Sequence, residues 1–215
     1  MLGAGLAVGF GFLIGDIDAA QAAFLATGVT VISMLTVGVV LVPQIIAQRK
    51  HEGTYDYMWS LPVQRTASVA ASLTVNTLIA LPGAVVALLV ASWRYDLAFT
   101  VNPLVIPAAL LTLATMASIG YALAHAIPNP MITGLVTNIP VFVILLYSPI
   151  NFPPERLPAW LAALHQGLPF QHAANVMRAG LTDGLATHVA QSFAILSGWA
   201  GASWILTAWV VGRRP

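Results

Sequence analysis

The densest run of ionisable and aromatic side chains is Arg49 to Arg65, RKHEGTYDYMWSLPVQR. It holds three of the eight Lys and Arg residues, with His51, Glu52 and Asp56 among them. Tyr55, Met58, Trp59 and Pro62 recur at helical spacing, so the segment presents an aromatic, thioether-bearing face. Gly53-Thr54 supplies a turn and an N-cap, and Leu61-Pro62 ends the segment. Charges beside aromatic anchors suit docking to another protein: charge steers association and aromatics carry affinity. The same periodicity also fits a lipid-facing helix tucked under a membrane.

Other chemistries find less support. No GxxxxGK[ST] phosphate loop occurs, so the chain has no Walker-type route to ATP. Gly201-Ala202-Ser203-Trp204 brushes against a serine-protease motif of membrane enzymes. Its final Gly is missing, however, and no histidine follows Ser203 to act as base. A small-residue packing face explains it better, and explains Gly5-x-x-x-Gly9 and Gly11-x-x-x-Gly15 as well. His165, His172 and His188 stand 7 and 16 residues apart without a recurring acidic partner, so they read as polar loop histidines rather than metal ligands. Cysteine is absent, which excludes disulfides, thiolate metal sites and a Cys nucleophile.

The frame that must position these residues is almost entirely apolar. The chain is 59% hydrophobic and 7% charged, where soluble domains carry roughly 25% charged residues. It is therefore an all-α polytopic membrane protein. A net charge of +1 without a basic stripe gives no argument for nucleic acid. Six apolar runs serve as membrane spans, at about 2–15, 22–46, 67–93, 103–127, 131–150 and 189–212. Pro43, Pro82, Pro107 and Pro140 are tolerated inside them where neighbours satisfy the freed carbonyls.

The first run, 14 residues, reaches only about 21 Å at ~1.5 Å per residue, so it is a short or truncated span. Ala20-Gln21-Ala22 resembles a signal-peptidase site, but no Lys or Arg precedes the apolar run. None of Asp, Glu, Lys or Arg falls inside a span, and His125 lies near the end of the fourth as an interfacial or helix-capping residue. That argues against proton-coupled transport, ion pumping and intramembrane aspartyl proteolysis.

Arg49, Lys50, Arg65, Arg213 and Arg214 share one side of this plan. Arg94, Arg156 and Arg178 lie on the other with Asp16, Asp18, Asp96, Glu155 and Asp183. The positive-inside rule places the 48–65 loop and the C-terminus in the cytoplasm. Trp93, Tyr95 and Trp160 then fall at the outer interface, where amphipathic aromatics are favoured. Between the last two spans, Leu157, Leu161, Leu164 and Leu168 mark one short helix. Phe170, Ala173, Ala174 and Met177 mark a second. Together (157–181) they form an outer pair, interfacial or re-entrant, too short to cross.

Arg49-Lys50-His51-Glu52-Gly53-Thr54, followed by Ser60-Leu61-Pro62-x-x-Arg65, resembles the RE-x-GT…L-x-x-P-x-x-R segment of ATP-binding-cassette type-2 permeases. Tyr147-Ser148-Pro149-Ile150-x-Phe152-Pro153, with Leu157-Pro158-x-Trp160-Leu161 and Leu168-Pro169…Arg178, is similar to that family's stretch between spans five and six. The resemblance covers nearly the whole chain and implies one transmembrane domain over 1–215. It also implies the membrane subunit of an exporter, not itself an enzyme, with ATP and Mg bound by a separate ATPase subunit and no cofactor or metal in this chain.

On that pattern Arg49, Lys50, Glu52, Gly53, Thr54, Tyr55, Met58, Trp59, Pro62 and Arg65 form the ATPase-coupling segment. Pro149, Phe152, Pro153, Leu157, Pro158, Trp160, Pro169 and Arg178 belong to the outer gate. A second permease copy or paralogue completes a dimer in the plasma membrane. The cargo of similar permeases is a drug or antibiotic, a lipid or a lipid-linked saccharide. The chain departs from the family at its start, where family members carry an amphipathic helix and a full first span. A secondary transporter or channel, or a non-transporting assembly protein, are the alternatives.

Because the chain lacks cysteine, single cysteines can report topology without background. Cysteines at Ser60 and Thr182 are expected to label from opposite membrane faces, Ser60 from the cytoplasm. Labelling of both from one face would overturn the span count.

Overall fold

The computed structural model describes residues 2–13, 18–55, 57, 64–151 and 157–212. Among them every regular element is helical. In chain order these are α1 (Leu2–Leu13), α2 (Ala19–Leu35), a π-helical segment (Thr36–Leu41) and α3 (Val42–His51), then α4 (Arg65–Tyr95), α5 (Val105–Ala126), α6 (Pro130–Tyr147), α7 (Ala159–Gly167), α8 (Pro169–Leu181) and α9 (Val189–Gly212). From α2 to α3 the helix is continuous, 33 residues from Ala19 to His51. This helix, α4, α5, α6 and α9 are long and apolar enough to cross a membrane. The chain is a multi-pass membrane protein.

Local chemistry sets the helix ends. Asp18 accepts the Gln21 backbone N–H at 2.7 Å and caps α2, while Asn129 accepts from Met131 N–H at 2.9 Å ahead of Pro130. Pro43 has no N–H to give the turn before it. The π segment ends at Leu41, two residues before it, the kind of adjustment that re-satisfies backbone freed by proline inside a membrane.

The Ala19–His51 helix and α5 are the most enclosed spans, and α4, α6 and α9 pack around them. The outer flanks of these three carry exposed Leu78, Ile79, Leu89, Ile139, Phe142 and Ile205, a surface matched to lipid tails. The two central helices meet backbone to backbone. A Cβ on Gly120 would land on the Gly38 carbonyl oxygen, and one on Gly38 would lie 2.5 Å from the Met116 backbone carbon. By contrast Gly5, Gly9 and Gly201, read from sequence as packing positions, face open space within this chain.

At 12 residues, α1 is short as expected, yet it belongs to the bundle. It packs on α2 and α4, buries Ala7, and accepts the Tyr95 hydroxyl on the Ala7 carbonyl at 2.8 Å. Ala20 to Ala22 lie in the first turn of α2 rather than in an extended cleavage segment.

The outer pair also departs from its expected pattern. Pro158 precedes α7 and Leu168, held extended before Pro169, follows it. Only Leu161 and Leu164 therefore share α7, with Leu161 buried and Leu164 exposed. In α8 the expected face holds: Ala173, Ala174 and Met177 are buried against the spans. Gln48 to His51, placed by sequence in a loop, prolong α3.

The Gly38–Gly120 crossing has no room to give. Gly120→Val is expected to destabilise the detergent-solubilised protein by about 1–3 kcal/mol, the usual cost of overpacking. Gly134→Ala, where an added Cβ meets nothing, should be neutral or stabilise by up to about 1 kcal/mol. Thermal melts of the two variants check this; equal melting temperatures would contradict it.

Candidate functional site

Two polar clusters stand at opposite ends of the Ala19–His51 helix. The first starts where α3 stops. Glu52 closes the helix in αR conformation and Gly53 follows at φ +74°, the left-handed residue that commonly ends a helix and that suits glycine. Lys50, in the last turn, reaches over to α5 and donates to the Ala124 and Ile127 carbonyls at 2.5 and 2.8 Å. Those carbonyls belong to a helix C-terminus, where partial negative charge and unmatched acceptors favour a cation.

Beyond the turn, Tyr55 folds back into the bundle. It is 5% exposed and packs with Val42, Ile46, Val69, Tyr121 and Ala124. Its ring lies 5.8 Å from that of His125 and 5.5 Å from the Lys50 ammonium. His125 is buried in the last turn of α5, stacked on Tyr121 at 5.6 Å, with Nδ1 2.8 Å from the Tyr121 carbonyl. Arg49 and Ser72 help to line a cavity of about 30 Å³ beside this group.

The face expected to greet a partner is thus divided. Tyr55, beyond the left-handed residue Gly53, packs inward against α3, α4 and α5. Glu52, Gly53 and Thr54 are exposed, Glu52 accepting from Gln48 Nε2 at 2.7 Å. Tyr57, not singled out by sequence, is 66% exposed, so the outward aromatic is two positions further on. Met58, Trp59 and Pro62 lie outside the described residues, and of Arg65 only its place at the start of α4 is described.

At the opposite end, Arg178 of α8 is 3% exposed. Its Nη2 donates to the Ile150 carbonyl, and its guanidinium sits 3.4 Å from the centre of the Phe24 ring. Nε has no partner, and among the described residues no carboxylate pairs with the group. Desolvation lowers its pKa to about 9, which leaves it charged at neutral pH. Cation–π contact with Phe24 and one carbonyl offset part of the cost of burying this charge.

Ile150 and Asn151 in turn abut Gly28 of α2, where a Cβ would lie 2.5 Å from the Ile150 carbonyl oxygen. Asn151 is buried with neither amide atom partnered. A cleft of about 570 Å³ opens alongside, lined by Arg178, Pro149, His172, Asn175, Gln191 and Ser192 among others. His165 and His172 are buried helix residues, not loop residues: α7 and α8 fold them against the bundle. His172 Nε2 lies 2.8 Å from the Gln166 carbonyl and Nδ1 3.0 Å from Ser192 Oγ. Desolvation lowers the His165 pKa below its usual value. Trp160 and Pro158 are exposed, Leu157 is half-buried and Pro169 buried, while Phe152 and Pro153 lie outside the described residues.

Ser203 is buried in α9, where its carbonyl accepts from Thr207 one turn on in the same helix, and among the described residues no group of three or more metal-ligating side chains gathers. The sequence model of the ABC-2 type transporter family matches residues 2–182. No curated protein matches the chain. The chain belongs to the ABC-2 type transporter family.

The inner tie can be weighed by substitution. Lys50→Met is expected to cost about 2 kcal/mol, the range for hydrogen bonds to a charged group. Tyr55→Ala should cost about 3 kcal/mol, as for other large-to-small changes at buried aromatics. Gly53→Val should cost about 1–2 kcal/mol through its left-handed backbone. Melting in detergent, read against Glu52→Gln as an exposed control, checks the order; a control as damaging as Tyr55→Ala would contradict it.

Proposed function

We propose, on the premise of that family membership, that the chain is the membrane subunit of an exporter driven by a separate ATPase chain. It would work as a dimer with a second copy or a paralogue in the plasma membrane, its C-terminus in the cytoplasm. The cargo is hydrophobic or amphipathic: a drug or antibiotic, a lipid, or a lipid-linked saccharide. ATP and Mg belong to the partner.

The observation that carries this reading is the inner tie. A loop offered to an ATPase can drive the spans only if it is fixed to them. Lys50 and Tyr55 fix this loop to α3, α4 and α5, leaving Glu52, Thr54 and Tyr57 on the outside. Force on the exposed residues would pass directly into the two central helices. The outer pair, α7 and α8, with Pro149, Leu157, Pro158, Trp160 and Pro169, would cover the exit. Apolar spans favour an apolar or amphipathic cargo over a small ion.

Purified alone, the chain is expected to hydrolyse no ATP, because it has no phosphate-cradling loop. Hydrolysis that survives removal of every partner would refute the division of labour. Tyr57→Ala should weaken capture of the ATPase by ~2 kcal/mol, about 30-fold, if the ring is a central anchor. Glu52→Lys should cost less, ~0.5–1 kcal/mol, and its effect should fade at high salt. Export measured in cells should fall with capture. Normal docking and export in both variants would reduce the loop to a lipid-facing segment.

A further inference from the structure

We propose that the cleft between α8 and the start of α9 is a binding site for the phosphate or carboxylate of an amphipathic anion, with Arg178 as the recognising cation. A guanidinium presents five N–H donors in a fixed fork suited to these oxyanions. Here one carbonyl, that of Ile150, takes Nη2, Nε is unpartnered, and the group is almost wholly enclosed. A cation buried this way calls for an anion, and among the described residues the chain supplies none.

The rest of the wall agrees. The cleft, about 570 Å³, is lined largely by neutral polar groups, with no Asp or Glu among its described lining residues. Asn175 Nδ2 donates to Ser192 Oγ at 2.9 Å, and Ser192 Oγ meets His172 Nδ1 at 3.0 Å. His172 Nε2 donates to the Gln166 carbonyl at 2.8 Å, so Nδ1 is the acceptor in the neutral ring. That network holds its shape without adding negative charge. Phe24 adds an apolar wall.

The cleft lies where α2 and α9 begin and α6 ends, at the level where a bilayer places lipid headgroups. The neighbouring cavity, lined by Asp96 and Asp183, has the opposite character and does not share Arg178. Binding at this site needs neither ATP nor a partner, so it stands or falls apart from the export reading.

The test uses the full chain reconstituted in vesicles of phosphatidylcholine alone or mixed with phosphatidylglycerol. Binding is read by native mass spectrometry of the extracted protein and by thermal shift. Inorganic phosphate and a short-chain alkyl phosphate, added to the phosphatidylcholine sample, form the soluble arms. The wild type is expected to retain phosphatidylglycerol and to melt higher with it. A matching shift with alkyl phosphate identifies the amphipathic anion as ligand, and a shift with inorganic phosphate alone refutes the need for an apolar tail. Arg178→Gln should lose the anion-dependent shift.

Should that variant fold poorly, Gln191→Glu keeps Arg178 and places a carboxylate on the cleft wall. It should weaken retention by ~10-fold or more, the equivalent of one lost charge-assisted hydrogen bond. Equal retention of phosphatidylglycerol and phosphatidylcholine, or an anion shift that Gln191→Glu leaves intact, would overturn the site.

Discussion

In a bilayer, helices gain little from pressing apolar side chains together, because lipid tails are as apolar as leucine. Close backbone contact and satisfied polar groups must hold a bundle together instead. Here the contact is between the Gly38 carbonyl and Gly120, where the Ala19–His51 helix crosses α5. Any side chain at either glycine would hold the helices apart. The same approach brings Lys50 within reach of the α5 carbonyls at one end of the long helix, while at the other Gly28 lies under Ile150, the residue that receives Arg178. Both polar clusters depend on where this one helix runs.

The two ends use their cations differently. Lys50 completes a helix terminus: its charge meets carbonyls at the end of α5, and its ammonium lies 5.5 Å from the centre of the Tyr55 ring. The result is a loop welded to the spans. Arg178 is enclosed beyond what its described protein partners satisfy, which is the basis of the anion site proposed for the cleft. Between them stand the π segment and Pro43, where the long helix departs from regular α geometry. Such departures are where helices bend. A tied loop at one end, a bendable middle and a charged cleft packed against the other end are all arranged along this one helix.

Much of this frame was legible in the chain. Apolar runs without charge located the five long helices to within a few residues, because the bilayer forbids other spanning structures for such a composition. Pro158 and Pro169 punctuate α7 and α8 as proline must, although the leucine pattern across them misled, since Leu157 and Leu168 fall outside α7. Tyr55 was the instructive miss. Periodicity groups residues on a face but cannot say whether that face meets the bundle or a partner. What decides it is the packing of Tyr55 on Val69 of α4 and on Tyr121 and Ala124 of α5, residues far from it in sequence. The burial of His172 and Arg178, both singled out from the sequence, was not legible for the same reason: it comes from α8 packing on α9 and on α2 and α5, the last two far away in sequence.

The central claim is that the exposed loop and the central spans move as one body. Spin labels on cysteines at Thr54 and Ala126 measure the loop against the end of α5, and a pair at Ala20 and Thr54 measures the long helix from end to end. All three positions are exposed, and the native chain contributes no cysteine. In the permease–ATPase complex, the account predicts that ATP leaves the Thr54–Ala126 distance unchanged while the Ala20–Thr54 distance shifts as the helix bends. A Thr54–Ala126 distance that lengthens on ATP addition, with Ala20–Thr54 constant, would show a loop that moves free of the spans and would contradict it.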